Sequence, residues 1–220
     1  MELVDKLSNR QYIDGEWVES SNKNTRDIIN PYNQETIFTV AEGTKEDVER
    51  AILAARRSFE DGEWSLETSE VRGKKVRAVA DKIKENREEL AKLETLDTGK
   101  TLEESYADMD DIHNVFMYFA GLADKDGGEM INSPIPNTES KIVKEPVGVV
   151  TQITPWNYPL LQASWKIAPA LATGCSLVMK PSEITPLTTI RVFELMEEVG
   201  FPKGVINLVL SSGEEIGDTL

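Results

Sequence analysis

The clearest pattern along the chain lies between Gly148 and Glu183, where two short apolar, β-branched runs flank a helical stripe. Val149, Val150 and Ile153 form the first run, which breaks at Thr154-Pro155. Leu160, Leu161, Ser164, Trp165, Ala168 and Leu171 then recur at helical spacing and close at Gly174. Ser176 to Met179 is the second run, and it breaks at Lys180-Pro181. Strand, loop, helix, strand predicts a βαβ unit, with near-continuous apolar strands because both faces of a parallel sheet are covered. Leu187, Ile190, Val192, Phe193 and Met196 continue as a helix closed by Gly200, and Val205 to Leu210 reads as a third strand. Ser211-Ser212-Gly213 turns into a last helical start at Glu214, which carries no cap or breaker before Leu220. The second half is thus α/β, one half of a doubly wound, Rossmann-like parallel sheet.

The first half changes period several times. Tyr12 to Val18 predicts a hairpin around Asp14-Gly15, Asp27 to Ile29 an arm ending at Asn30-Pro31, and Glu35 to Ala41 a further extended run. Thr44 with Asp47 forms a capping-box signal for a helix with Val48, Ile52, Ala55 and Phe59 on one face and Arg50, Arg56 and Arg57 in solvent. Ser69 to Glu85 is a second helix with Val76, Val79, Ala80 and Ile83 as its stripe. Asn86 with Glu89 reads as a fresh cap for Leu90, Leu93 and Leu96, which run to Gly99. Thr101 with Glu104 caps a further helix whose Tyr106, Met109, Ile112, Phe116, Phe119 and Ala120 read as core, and His113 lies on it beside several acids, an ordinary exposed or half-buried histidine or else a catalytic one. Gly127-Gly128 ends the helices, and Met130 to Glu145 reads as a projecting hairpin arm or as a plain surface connection. The expected division is N-terminal strands and helices over 1–127, the hairpin over 128–146 and the βαβαβ part over 147–220.

Composition adds bounds. The 220 residues suffice for a real core, and a formal net charge of −15 argues against nucleic acid or an anionic membrane as partner. The opening MELVDKLSNR is charged where a signal peptide needs an apolar centre, and no apolar run reaches transmembrane length. The one cysteine, Cys175, excludes an intramolecular disulfide framework, fits a reducing compartment and points to the cytoplasm.

Ligands of such sheets sit beyond the carboxyl ends of the strands, here TPWNYP and KPSE. Asn157 can aim its amide N–H₂ at an oxyanion, or it can simply cap the following helix. Lys180 and Glu183 suit a ribose, the carboxylate accepting from two hydroxyls, or form an exposed ion pair on a loop. The GxGxxG fingerprint is absent, and Gly213 with Gly217 at a helix start is a weak substitute. Tyr158 and Trp165 lie two turns apart and can share a face, for which core packing is the default reading, and Lys166 is a charge in an apolar helix that needs a partner. Cys175 starts the second strand, away from the cleft, and reads as a buried structural thiol.

The motifs TPWNYP, WKIAPALATG and MKPSE, in this order, resemble the aldehyde dehydrogenase superfamily, most closely its glycine betaine aldehyde dehydrogenase members. The resemblance runs from about Tyr12 to Leu220 and implies the amino-terminal part of an NAD-dependent enzyme oxidising an aldehyde to its acid. It implies Asn157 as oxyanion donor and Lys166 in a charge relay. Ile153, Thr154, Pro155 and Trp156 would be the strip along which NAD lies, and Lys180, Pro181, Ser182 and Glu183 the ribose site. Gly213 and Gly217 match its phosphate loop, although Ser211 stands where many members have glycine. Tyr158 and Trp165 match a box for a trimethylammonium head, where cation–π attraction recognises the substrate. Asp97, with carbonyls near Ile28 and Ile29, matches a potassium site, and the hairpin matches an arm that pairs subunits of a homo-oligomer. The family's cysteine nucleophile and general-base glutamate have no counterpart here. The competing expectation is therefore an inactive fragment, or a nucleotide-binding or assembly module.

Overall fold

The computed structural model describes residues 3–125 and 127–220; Met1 and Glu2, which head the charged opening stretch, and Asp126 lie outside the described residues. The first hairpin pairs β1 (Gln11–Ile13) with β2 (Glu16–Val18). Its turn places Asp14 at φ 55° and Gly15 at φ 79°, the left-handed pair that a two-residue hairpin turn requires. A separate two-stranded sheet follows, β3 (Thr25–Ile29) with β4 (Thr36–Ala41), so the arm expected from Asp27 begins two residues earlier.

Helix α1 (Lys45–Glu60) starts with both bonds of the Thr44–Asp47 capping box, and α4 (Leu102–Leu122) with both bonds of the Thr101–Glu104 box. Between them lie α2 (Ser69–Glu85) and α3 (Arg87–Thr98). The cap expected at Asn86 does not form. Its Nδ2 donates back to the Lys82 carbonyl at 2.8 Å and finishes α2 instead of starting α3. Met109, Ile112 and Phe116 of α4 are buried, and the His113 Nδ1 donates to the Ala80 carbonyl at 2.9 Å. The arm is β5 (Glu129–Asn132) paired with β6 (Glu139–Ile142), a sheet of its own with almost every residue exposed.

The second half reads β7 (Val149–Ile153), α5 (Pro159–Thr173), β8 (Ser176–Lys180), α6 (Leu187–Val199), β9 (Ile206–Leu208) and α7 (Gly213–Ile216). Helix α7 is a single turn with Gly217 at its C-cap, shorter than the run to Leu220 that the sequence predicts. The main sheet has order β2-β1-β9-β8-β7, parallel from β7 to β9 and antiparallel at β1. The N-terminal hairpin thus covers the β9 edge through Tyr12 and Leu208, a pairing between opposite ends of the chain.

Both faces of the sheet are covered, as the apolar strands predict. Val178 and Val209 pack with Val48, Ala51 and Ala55 of α1, whereas Leu177, Met179, Ile206 and Leu208 join the larger core with α2, α5 and α6. Every residue of β8 is buried, but β7 is an edge strand and leaves Ile153 52 % exposed.

Candidate functional site

The parallel register sets Ile153 beside Lys180, so β7 and β8 end flush and their two following loops emerge side by side. Two hydrogen bonds tie those loops: the Thr154 N–H donates to the Lys180 carbonyl at 3.2 Å, and the Thr185 hydroxyl donates to the Trp156 carbonyl at 3.3 Å. Thr154, Lys180, Pro181 and Ser182 are buried at this junction, and the Thr154 Oγ1 has no hydrogen-bond partner there. Pro155 is half-buried and Trp156 is exposed.

Lys180 is 2 % exposed, and its ammonium donates to the Pro181 carbonyl at 3.0 Å and to Glu183 at 3.3 Å. A buried ammonium needs such partners, and these two leave one N–H available. Burial acts to raise the Glu183 carboxyl, but its own backbone N–H, the Lys180 ammonium and the Arg26 guanidinium outweigh burial and hold it below the usual carboxylate range. Glu183 is therefore an ionised acceptor on the rim of the junction. An ionised acceptor beside a donor with a spare N–H, with an unpaired hydroxyl at Thr154, fits the ribose and backbone of a dinucleotide.

Asn157 is exposed and has no hydrogen-bond partner among the described residues. It is not the helix cap: Tyr158 holds that position, and no side chain caps α5. Pro159 opens α5 without an N–H of its own, and the N–H groups that follow have no side-chain cap. The Tyr158 ring is 43 % exposed and carries the Lys100 ammonium at 4.3 Å from its centroid. Lys100 is itself held by Asp108 at 2.6 Å and Glu94 at 3.5 Å. Trp165 is 54 % exposed and lines a shallow groove with Asp111, Tyr118, Phe119 and Leu161. The ring contacts of the described residues do not include one between Tyr158 and Trp165.

Lys166 is half-buried beside the open edge of β7 and has no ion-pair partner among the described residues. Gly213 opens α7 behind the Ser212 cap, and a Cβ on it would meet nothing within 4 Å. Ser211, the departure from glycine, is buried, and its hydroxyl donates to Glu42 at 3.3 Å. Cys175 is buried at the opposite end of the sheet.

A second polar cluster lies deeper. The Asp97 Oδ2 accepts from the Leu187 N–H at the start of α6 at 2.8 Å, while its buried Oδ1 has no hydrogen-bond partner among the described residues. Burial pushes the Asp97 carboxyl well above the usual range, with the nearby Glu94 adding to it and the Leu187 bond opposing. The turn after Ile28 and Ile29 reaches this region, since a Cβ on Gly99 at the end of α3 would lie 2.9 Å from Pro31.

The sequence reading did not single out Lys100, Arg26 or Glu42, which the fold brings to Tyr158, Glu183 and Ser211. No local pattern joins them. Each meets its partner through tertiary packing.

The model of the aldehyde dehydrogenase family matches residues 17–220. The chain belongs to the aldehyde dehydrogenase family. Among curated members, the betaine aldehyde dehydrogenase of Bacillus subtilis (strain 168) is 66 % identical over 97 % of this chain and 44 % of its own length. A peroxisomal aminoaldehyde dehydrogenase of Pisum sativum is 46 % identical over the same shares, 97 % and 44 %. A crystal structure of betaine aldehyde dehydrogenase from Staphylococcus aureus in complex with NAD⁺ superposes with a TM-score of 0.98 at 88 % identity, covering 99 % of this chain and 43 % of that one. The chain thus spans less than half the length of the aldehyde dehydrogenases it matches, and corresponds to their amino-terminal, NAD-binding part.

Proposed function

We propose that residues 1–220 supply the NAD site and half of the oxyanion hole of an aldehyde dehydrogenase that oxidises betaine aldehyde to its acid. The flush strand ends carry this reading: they set an ionised Glu183 and a buried Lys180 beside a loop whose Asn157 amide has no partner among the described residues. Glu183 accepts from the two ribose hydroxyls, Lys180 adds its remaining N–H, and Ile153 to Trp156 form the strip along which the cofactor lies. Pro181 and Ser182 shape the ribose pocket, and Gly213 and Gly217 let the diphosphate approach the turn after β9. When bound, NAD accepts the hydride from the former aldehyde carbon. Asn157 donates to the oxygen of that carbon as negative charge develops there, which lowers the barrier to thiolate attack. The thiolate comes from outside residues 1–220, because Cys175 is buried at the far end of the sheet.

Several roles rest on the family pattern. Lys166 awaits a carboxylate partner from the rest of the chain, Tyr158 and Trp165 line the path of a trimethylammonium head, and Asp97 with the carbonyls of Ile28 and Ile29 holds a potassium ion. The unpaired, buried Asp97 Oδ1 supports the last of these, since an unpaired carboxylate oxygen needs a cation or proton. The β5–β6 arm, with Met130 and Ile131 exposed, suits pairing with other copies in a homo-oligomer. The acidic charge and the lone buried thiol favour a cytoplasmic setting. The test is NADH formation from betaine aldehyde by a chain completed to the length of its relatives, beside residues 1–220 alone. Turnover by the first and none by the second is expected; turnover by residues 1–220 alone would overturn the division of labour.

A further inference from the structure

The crevice beside the end of β8 is lined by Arg26, Glu42, Ser182, Glu183 and Ser211, with Arg26 on β3 and Glu42 just after β4. Arg26 donates to the Glu42 carboxylate through Nε at 2.5 Å and through Nη2 at 2.6 Å, a bidentate pair. Glu42 also accepts from the Ser211 hydroxyl at 3.3 Å and the Ser212 N–H at 3.1 Å. Arg26 and Glu183 stand close enough to feel each other's charge. Arg26 is the cation lining the crevice and is paired with Glu42, while Glu183 on the same lining pairs with Lys180 at the end of β8.

Dinucleotide folds that take a 2′-phosphate place an arginine near the ribose, because the planar fork of a guanidinium matches phosphate oxygens two at a time. Arg26 has that position, but its fork is spent on Glu42. We propose that Glu42 masks a latent 2′-phosphate site at Arg26 and so, together with Glu183, sets the preference for NAD over NADP. Glu183 repels the phosphate directly, whereas Glu42 withholds the guanidinium that would attract it. This inference rests on the reading of Glu183 as the ribose carboxylate.

The test measures Kd for NAD and for NADP by titration of the completed chain and its variants. Glu42→Gln removes the charge but keeps an amide oxygen for the Ser212 N–H, so the turn after β9 is retained. It should tighten NADP relative to NAD about tenfold, the size of one charge-assisted pair. Glu42→Gln/Arg26→Met should lose that gain. Where Glu42→Gln does not fold, Glu42→Thr, which shortens the side chain and also frees Arg26, carries the same expectation. An unchanged NADP-to-NAD ratio in the folded variant overturns the proposal, as does a gain that survives loss of Arg26, which would be a general effect of net charge. Glu183→Ala separates the two readings. If it weakens NAD while Glu42→Gln leaves the ratio alone, only the mask fails; if it leaves NAD binding unchanged, the ribose site itself is misplaced and the mask falls with it.

Discussion

The two loops that emerge side by side from β7 and β8 differ in how complete they are. Beyond β8, Lys180 is paired with Glu183 and Arg26 with Glu42 within the chain, and the strand behind them is buried throughout. Beyond β7, Trp156, Asn157 and Tyr158 are exposed, the start of α5 has no side-chain cap, and the strand is an open edge. Preorganised pairs hold a cofactor before any reaction begins, whereas unpaired donors wait for a charge that appears only in the transition state. On the proposed reading, the contrast separates the ribose end of the cofactor site from the oxyanion donor along one pair of strand ends.

The largest effect should come from the open side. In the completed chain, Asn157→Ala is expected to lower kcat by roughly 10²–10³ with little change in the Kd for NAD, as loss of one oxyanion donor does. Steady-state rates beside cofactor titration would show it. A collapse of NAD binding with an unaltered rate per bound cofactor would make Asn157 part of the paired side and erase the contrast.

The paired side should respond in the opposite sense. Glu183→Ala is expected to weaken NAD by about 1–3 kcal/mol, the worth of hydrogen bonds to a charged group, and to narrow the gap to NADP while sparing kcat at saturation. Equal affinities before and after the change would leave Glu183 as a rim acid paired with Lys180 and nothing more.

How much of this was legible in sequence follows the distance between partners. The boxes at Thr44–Asp47 and Thr101–Glu104 are written within one helical turn, and both form. Asn86 and Glu89 have the same spacing and fail, because the end of α2 claims the asparagine first. The βαβαβ order was readable from apolar runs and their breaks. That β1 would cover the β9 edge was not, since a hairpin pattern is silent about which edge it joins. Val149 to Ile153 and Ser176 to Lys180 look alike in sequence, yet only β8 is fully buried; place in the sheet, not composition, makes the difference. The candidate site shows the same limit. Asn157, Lys180 and Glu183 sit at strand ends and were readable there, while Arg26, Glu42 and Lys100 reach the site only through the fold.

A substrate test sharpens the open side. The Tyr158 ring already carries the Lys100 ammonium and is 43 % exposed, so a trimethylammonium head would share the ring with a resident cation. A desolvated cation–π contact is worth about 2 kcal/mol, enough for at least a tenfold preference in kcat/KM for betaine aldehyde over an uncharged aldehyde of similar size. Tyr158→Ala should erode that preference at high ionic strength, where the general attraction of an acidic chain for a cation is screened. Equal kcat/KM for both aldehydes under those conditions would leave Tyr158 as the seat of Lys100 alone.

The smallest effect should come from Asp97, which tests whether the buried cluster behind both loops is finished or still lacks a ligand. Burial, opposed by the Leu187 N–H and assisted by Glu94, raises its carboxyl well above the usual range. A folded-state pKa above the unfolded value means that its contribution to stability is full below about pH 4, the ordinary carboxylate value, and is lost as pH rises through the folded value. Asp97→Asn removes that loss and keeps an oxygen for the Leu187 N–H. Its melting temperature should therefore gain on the unaltered chain as pH rises, by a few degrees. A potassium ion at the unpaired Oδ1 would act against this trend, because a bound cation favours the ionised carboxylate. Potassium should then raise the melting temperature of the unaltered chain at neutral pH and leave Asp97→Asn unmoved, with tetramethylammonium as the control for ionic strength. If potassium and tetramethylammonium act alike on both chains, the Oδ1 holds a proton and no cation, and the cluster belongs with the paired side, complete as it stands.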